Sequence, residues 1–199
     1  MSEKVTANSM VFCPICCNEV ELLPFRTSPN PRTCPVCSSN ERLRGLWLYL
    51  QNRTKLISDT TTNIKLLHFA AERGIYDKFI SLPHIDYYPV DFNPLKRRIR
   101  DVVDIQHIQY ESNMFDALIC SHVLEHIPDD RKAISELYRV LKPGGTAYIL
   151  VPISHKLEAT LENPEYDTPE LRTEHYGQFD HVRRYGKDFI PTATRISKI

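Results

Sequence analysis

The stretch that decides the fold is Phe115–Pro152, which reads FDALICSHVLEHIPDDRKAISELYRVLKPGGTAYILVP. Its first apolar run, Asp116–Cys120, is typical of a parallel strand covered on both faces. The Pro-Asp-Asp run at 128–130 can cap and begin an amphipathic helix, which the Gly-Gly pair at 144–145 ends. A second apolar run, Thr146–Val151, follows. Strand, helix and strand in this order predict a right-handed parallel crossover.

Three further strands are predicted upstream of this stretch. Ile64–Phe69 is apolar and reads as the first strand, and Ile85–Val90 reads as the second, ending at Asp91. The run Val102–Ile105 reads as a short third strand and the acid that follows it. The sequence therefore predicts an α/β fold with a sheet of about five parallel strands.

The segment SHVLEHIPDDRKAISELYRVLKPGG, which starts at Ser121, resembles the region after the fourth strand of class I S-adenosylmethionine-dependent methyltransferases of the type 11 kind. In that family an LEH turn, a helix and an LKPGG turn lead into the fifth strand. The resemblance covers about residues 62–190 and implies a Rossmann-like sheet, S-adenosylmethionine as cofactor and methyl transfer as the activity. The family would continue with a helix and two strands, but only Ile190–Ile199 follows Phe189. We therefore expect the C-terminal hairpin to be missing and the last strand to be an exposed edge, where a homodimer can form.

The same resemblance implies a cofactor loop after the first strand, at Ala70, Glu72 and Gly74. His68 stands where the family has an acid, and Gly74 is the one glycine that the loop keeps. Small Ala70 permits a close backbone approach while its φ stays negative. Glu72 is either a partner for the cofactor's ammonium group or an acid at the start of a helix.

Further cofactor contacts are implied at the ends of the later strands. A carboxylate at Asp91 can accept both ribose hydroxyl protons, and the alternative is an aspartate that caps a turn. Asp104 is expected to contact the adenine amino group while Ile105 packs on the ring, and Ser121 is expected near the cofactor as well.

Two histidines are candidate catalytic bases, because imidazole titrates near neutral pH. His122 follows the fourth strand, and His181 lies in the polar and aromatic segment YGQFDHVRRYG. From this segment Gln178, Asp180 and Arg183 are expected to approach the methyl acceptor; the alternative is a loop packed by its own hydrogen bonds. The pattern H-x-x-E-H at 122–126 also matches an inverted zinc-protease motif, but Pro128 interrupts the helix that this chemistry requires.

The six cysteines include two C-P-x-C pairs. Cys13 with Cys16 and Cys34 with Cys37 give C-x2-C-x17-C-x2-C, a spacing typical of a structural zinc site, although disulfides or free thiols are alternatives. Cys17 is expected to be a bystander, and Cys120 a small core residue.

Composition limits the possible functions. The 199 residues suggest a zinc ribbon at 1–40, a connecting helix and linker at 41–62 and a methyltransferase-like domain at 63–199. The net charge of zero disfavours a nucleic-acid partner, and we expect a cytoplasmic protein with no membrane segment or secretory signal. Three functions stay open: methylation of a small-molecule or sugar-like acceptor, methylation of RNA or protein guided by the ribbon, and a non-catalytic binding or scaffold role.

Overall fold

This computed structural model describes residues 10–25 and 28–189. Within them the chain forms two compact units. The first, here called the ribbon unit, takes in the residues up to Asn63 together with Glu72–Ile85. The second, the sheet unit, takes in Ile64–Ala71 and the residues from Asp86 onward.

The ribbon unit contains two antiparallel hairpins and two helices. The hairpins pair β1 with β2 and β3 with β4, and the helices are α1 and α2. Their bounds are Val11–Cys13 for β1, Asn18–Val20 for β2, Leu23–Phe25 for β3, Ser28–Thr33 for β4, Glu41–Arg53 for α1 and Arg73–Phe79 for α2.

Helix α1 is amphipathic. Its buried face consists of Leu43, Leu46, Trp47 and Leu50. The Asn40 side chain caps the helix by accepting a hydrogen bond from the Leu43 N–H. Trp47 packs edge-on against Phe79 of α2, with 5.9 Å between ring centroids, so the two helices share one small core.

The sheet unit is built on five strands in the spatial order β7-β6-β5-β8-β9. The pairs β5–β8, β6–β7 and β8–β9 are parallel. Helix α3 connects β8 to β9, and α4 follows the sheet. The bounds are Ile64–Phe69 for β5, Ile85–Asp91 for β6, Asp101–Val102 for β7, Phe115–Ser121 for β8, Asp130–Val140 for α3, Leu141–Leu150 for β9 and Pro169–Tyr176 for α4.

The predicted parallel sheet is confirmed, with two shifts at element ends. Helix α3 is capped by the side chain of Asp129, as expected, but it ends at Val140, so that β9 already begins at Leu141. The third strand, β7, begins one residue earlier than predicted, and in the turn that follows it the carboxylate of Asp104 accepts the Gln106 N–H. Among the described strands β9 pairs only with β8; a homodimer through this edge stays a prediction.

The core of the sheet unit is apolar and rich in aromatic rings. Strand β8 contributes Leu118 and Phe115, which are fully buried. Phe115 packs edge-on against Tyr88 and Tyr110, with ring centroids 5.1 and 5.2 Å away. Residues from these strands and from α3 form one cluster, which fixes the strand ends that carry the candidate site. Across residues 10–25 and 28–189, no helix combines the length and the apolar character needed to cross a bilayer.

Candidate functional site

A cavity of about 620 Å³ opens beyond the carboxyl ends of β5, β6, β7 and β8. Ligands bind at this edge in open α/β sheets, because the loops that follow parallel strands meet there. We call it the carboxyl-end cavity. Six of the residues predicted from the sequence line it: Ala70, Asp91, Asp104, Ile105, His122 and Asp180.

Ala70 lies at the sharp turn after β5. Its φ is +51°, whereas the expectation of a close backbone approach assumed a negative value. Its N–H donates to the Val90 carbonyl at 2.8 Å and thereby ties the turn to β6. The left-handed region favours glycine, so this alanine holds a strained conformation at the cavity wall.

Asp91 ends β6, and the turn-capping role that the sequence left as one alternative is observed. Its Oδ1 accepts the Asn93 N–H at 2.9 Å, which caps the following turn. No partner of Oδ2 is found among the described residues, and the side chain lines the cavity. One carboxylate oxygen is therefore left to accept hydrogen bonds from a ligand.

Asp104 and Ile105 lie in the turn after β7. Asp104 Oδ1 accepts the Gln106 N–H at 2.8 Å, and its Oδ2 lies 3.6 Å from His107 Nδ1. Ile105 is almost fully buried and supplies an apolar surface beside the carboxylate. This combination suits a flat heterocycle that carries an amino group.

His68, which stands at the place of the family's acid, is fully buried in β5. Burial lowers its pKa from the ordinary 6.5 to about 3, so the imidazole is neutral at physiological pH. Its Nδ1 shares a 2.8 Å hydrogen bond with the hydroxyl of Tyr87 on β6. The side chain therefore contributes hydrogen bonding to the sheet and no negative charge to the site.

His122 occupies a second left-handed position, with φ +55°, directly after β8. Its N–H donates to the Leu150 carbonyl at 2.8 Å, and its Nδ1 lies 3.0 Å from Glu125 Oε1. Glu125 is 1% exposed and was not among the predicted site residues, although its position three residues after His122 is the pattern that could have revealed it. The pair resembles an imidazole base that a buried carboxylate orients.

The backbone around this pair excludes the inverted zinc-protease motif. Only Leu124–His126 forms a helical turn, of the 3-10 type, and His122 with its positive φ lies outside it. The two histidines of H-x-x-E-H are therefore not on one α-helix.

The segment after α4 contributes Asp180 to the cavity wall. Gln178 Nε2 donates to Asp180 Oδ1 at 2.7 Å. Although burial acts in the opposite direction, this bond and the nearby His126 lower the pKa of Asp180. Gln178 itself does not line the cavity.

His181 lies behind this wall and not in it. Its ring packs edge-on against that of His126, with 4.8 Å between centroids. Burial, and secondarily His126, lower the pKa of His181. His126 does line the cavity, so His181 is one ring removed from it.

Arg183 has a different position from the one expected of an acceptor contact. It is 1% exposed and does not line the cavity. Its guanidinium donates to the carbonyls of Leu124, Ile127 and Pro128 and to the carboxylate of Glu162. Arg183 thus holds the turn after β8 in place.

Two of the remaining predicted cofactor residues belong to the ribbon unit. Glu72 is the N-cap residue of α2, and its carbonyl accepts the Tyr76 N–H. A Cβ at Gly74 would lie 3.2 Å from the carbonyl oxygen of Cys37 and from Ile15 Cγ2, so close packing within the ribbon unit already favours a glycine there.

Ser121 and its neighbour Cys120 are buried at the end of β8. Ser121 does not line the cavity, and no hydrogen-bond partner of its hydroxyl is found among the described residues. Burial raises the pKa of the Cys120 thiol, which keeps it protonated, as expected of a core residue.

The four predicted metal-ligand cysteines come together in the ribbon unit. Cys13 Sγ lies 3.7 Å from Cys37 Sγ, and Cys16 Sγ lies 3.6 Å from Cys34 Sγ, with no disulfide between them. Four sulfurs at 2.3 Å from one ion at tetrahedral angles are about 3.8 Å apart. The residue after each C-P-x-C pair, Cys17 or Ser38, has a positive φ and donates its N–H to the first cysteine's carbonyl. The donor set and its spacing fit a tetrahedral metal.

Comparisons with known proteins agree with this fold. Residues 78–149 match the family described as Methyltransferase domain. A ubiquinone/menaquinone biosynthesis C-methyltransferase UbiE of Haemophilus ducreyi is 40% identical over 45 residues, which is 23% of this chain and 17% of that protein. The chain thus spans a small part of the length of this curated relative.

Two solved structures resemble the chain at low sequence identity. The [4+2]-cyclase SpnF has a TM-score of 0.55 at 19% identity, covering 77% of this chain and 56% of that one. Phosphoethanolamine N-methyltransferase 2 of Haemonchus contortus, in complex with S-adenosyl-L-methionine, has a TM-score of 0.51 at 19% identity, covering 71% and 34%. Residues 78–149 are thus similar to a methyltransferase family, and the chain shares the Rossmann-like α/β fold of these two structures.

Proposed function

We propose that the protein is an S-adenosylmethionine-dependent methyltransferase that acts on a small-molecule or sugar-like acceptor. The observation that carries the proposal is the carboxyl-end cavity, which brings Asp91, Asp104 and His122 to one space at the strand ends. Two carboxylates on one side and an oriented imidazole on the other suit a cofactor with hydroxyl and amino groups beside an acceptor that loses a proton.

The cavity residues fit the cofactor's polar groups. Asp91 Oδ2 would accept the ribose hydroxyl protons, and Asp104 would accept from the adenine amino group while Ile105 packs on the ring. When bound, the cofactor supplies a methyl group that its sulfonium already activates. The protein then has mainly to hold the acceptor close and to exclude water.

His122 would take the acceptor's proton. Its Nδ1 faces Glu125 at 3.0 Å, and this contact orients the ring so that the other nitrogen, Nε2, serves as the base. Because Glu125 is buried, its charge also stabilises the imidazolium that results. Asp180, on the same cavity wall, would contact the acceptor.

The names of similar proteins favour a small acceptor. One relative is a C-methyltransferase of ubiquinone/menaquinone biosynthesis, and one structural neighbour is a phosphoethanolamine N-methyltransferase. The zero net charge also argues against RNA as the acceptor, so methylation of RNA or protein guided by the ribbon is the weaker alternative.

A non-catalytic binding role is the second candidate function, and residues in β5 and in the turn after it favour this role. His68 is neutral where an acid would pair with the cofactor's ammonium group, and Ala70 is left-handed where a glycine is favoured. Both departures weaken cofactor binding without altering the sheet. The structural neighbour that is a [4+2]-cyclase illustrates that the fold alone does not specify methyl transfer.

Zinc is the metal that we propose for the four cysteines. Four thiolates at tetrahedral spacing favour zinc among the common cellular ions, and four ligands leave no open position, so the site is structural. A cytoplasmic location stays a prediction from this use of cysteine.

Calorimetric titration with S-adenosylmethionine tests the proposed function. We expect Asp91→Ala to weaken binding about 10- to 100-fold, because charge-assisted hydrogen bonds are lost. Asp86→Ala is the matched control: Asp86 lies on the same strand, is exposed and pairs with Arg100 outside the cavity. Absence of binding by the wild-type protein at millimolar cofactor would leave the non-catalytic role, and equal binding by both variants would remove Asp91 from the site.

A further inference from the structure

Glu125, His126 and His181 form a second cluster of metal-ligand groups, apart from the cysteines. One carboxylate oxygen of Glu125 and one ring nitrogen of each histidine all lie within 4.8 Å of one another. Two imidazoles and a carboxylate are a common donor set for divalent transition metals such as Zn²⁺, Mn²⁺ and Fe²⁺. The set differs from the H-x-x-E-H motif, since His181 comes from a remote part of the chain and His122 is not a member.

Glu125 supplies an independent reason to expect a cation. The residue is 1% exposed, and its Oε1 faces His122 at 3.0 Å. Its Oε2 is buried and has no hydrogen-bond partner among the described residues. A buried carboxylate oxygen without a partner is costly, and a bound cation would remove that cost.

The Nδ1 atom of His126 already has partners. His126 Nδ1 lies 3.3 Å from the backbone oxygen of Asp180 and 3.3 Å from its Oδ2. Metal-bound histidines usually donate their second N–H to a carbonyl or carboxylate in this way, which leaves the other nitrogen as the ligand atom.

The two segments that carry these groups are fastened to each other. The N–H of Val182, next to His181, donates to the Glu125 carbonyl at 2.9 Å. Arg183 Nη1 donates to the Leu124 carbonyl at 2.9 Å. These two hydrogen bonds hold the segment with Glu125 and His126 next to the segment with His181, as a preformed metal site requires.

We propose that Glu125, His126 and His181 bind one divalent transition-metal ion at the wall of the carboxyl-end cavity. Three protein ligands leave at least one coordination position open, and His126 and Asp180 line the cavity. A catalytic role of this ion rests on the proposed function. In that role the open coordination position would bind an oxygen of the methyl acceptor, and the ion would select acceptors with a hydroxyl, phenol or carboxylate group next to the reacting atom. Binding of the ion itself does not depend on S-adenosylmethionine.

Cobalt titration of the full chain tests the site. With the cysteines loaded with zinc, Co²⁺ is added and followed by absorption spectroscopy. We expect one equivalent to bind and to develop visible d–d bands without thiolate charge transfer, since its ligands are nitrogen and oxygen. His181→Ala should weaken this binding at least about tenfold, as should Glu125→Gln. His155→Ala is the control, because it removes an exposed histidine outside the cluster.

Elemental analysis gives a second measurement. If the site copurifies with zinc, the wild-type protein carries two zinc ions per chain and His181→Ala carries one. Should Glu125→Gln fail to fold by circular dichroism, His181→Ala decides. The proposal is overturned if the wild-type chain binds no ion beyond that of the cysteines, or if His181→Ala binds Co²⁺ as tightly as the wild type. A protein that binds the ion but not S-adenosylmethionine would contradict the proposed function alone.

Discussion

His68 shows at the scale of one residue how the fold determines a charge. The imidazole is enclosed in β5, and burial lowers its pKa to about 3. An unfolded chain binds the same proton near pH 6.5. Because the unfolded state binds more protons between these two values, the free energy of unfolding falls as the pH drops from about 6.5 towards 3, and above 6.5 this group adds no dependence.

We expect His68→Gln to remove this part of the pH dependence. The amide can still bond to the Tyr87 hydroxyl, but it does not titrate. Between about pH 6.5 and pH 3, the difference in unfolding free energy between wild type and variant should change by about 1.4 kcal/mol per pH unit. Urea unfolding at pH 4.5, 5.5, 6.5 and 7.5 measures it. If the free energies of unfolding of the two proteins changed in parallel with pH over the whole range, this would contradict the neutral state of His68.

Two other single residues show backbone strain at the candidate site. Ala70 and His122 both have positive φ, and both line the carboxyl-end cavity. Non-glycine residues in this region cost about 1 kcal/mol or more, which the surrounding hydrogen bonds offset. The strained positions follow β5 and β8, which are neighbours in the sheet although they are not consecutive along the chain.

At the scale of an element, the turn Leu124–His126 depends on a remote side chain. Arg183 donates to three backbone carbonyls of this turn and its exit, and it also contacts Asp130 at the start of α3 and Glu162. A short 3-10 turn has few hydrogen bonds of its own. Arg183 therefore ties the turn that carries Glu125 to α3 and to Glu162.

We expect Arg183→Met to lower the free energy of unfolding by about 3 kcal/mol or more, because the carbonyls of Ile127 and Pro128 and the carboxylate of Glu162 lose a charged donor. The neighbouring Arg184 is exposed, so Arg184→Met should change stability by less than about 0.5 kcal/mol. Denaturant unfolding, followed by far-ultraviolet circular dichroism, compares the stability of the two variants. A similar small loss in both variants would show that the Arg183 contacts do not stabilise the turn.

At the scale of the whole molecule, the ribbon unit has a small core and a metal-ligand cluster. Its apolar contacts centre on α1 and α2, whereas the strands of its two hairpins are only three to six residues long. Strands of this length do not form a stable sheet by themselves, so a metal on the four cysteines would supply much of the folding free energy.

We expect chelation of zinc to unfold the ribbon hairpins, with loss of their strand signal in the circular dichroism spectrum. Cys16→Ser should bind Co²⁺ more weakly and with a smaller thiolate-to-cobalt charge-transfer band, because three of the four thiolates remain. The adjacent Cys17 is exposed and outside the cluster, so Cys17→Ser should keep the full band. Equal metal binding by both variants, or a wild-type spectrum that chelators leave unchanged, would argue against a structural zinc site.

Local patterns were enough to predict most of the elements. The strand Ile64–Phe69 was predicted at its observed position and the helix cap within the run 128–130, because an apolar run and a capping aspartate act on their immediate neighbours. The two C-P-x-C pairs likewise carry their own turn geometry, so the approach of the four sulfurs follows from their spacing.

By itself, then, the sequence determined the parallel sheet, the cysteine cluster and the carboxylates at the strand ends. Only the tertiary structure decided the positive φ of Ala70, the burial of Arg183 and the joining of Glu125 to His181. Arg183 and the Leu124 carbonyl are 59 positions apart, and Glu125 meets His181 through the same long-range contact. Such contacts depend on how remote segments pack, and packing depends on the whole chain at once, so no local pattern of residues encodes them.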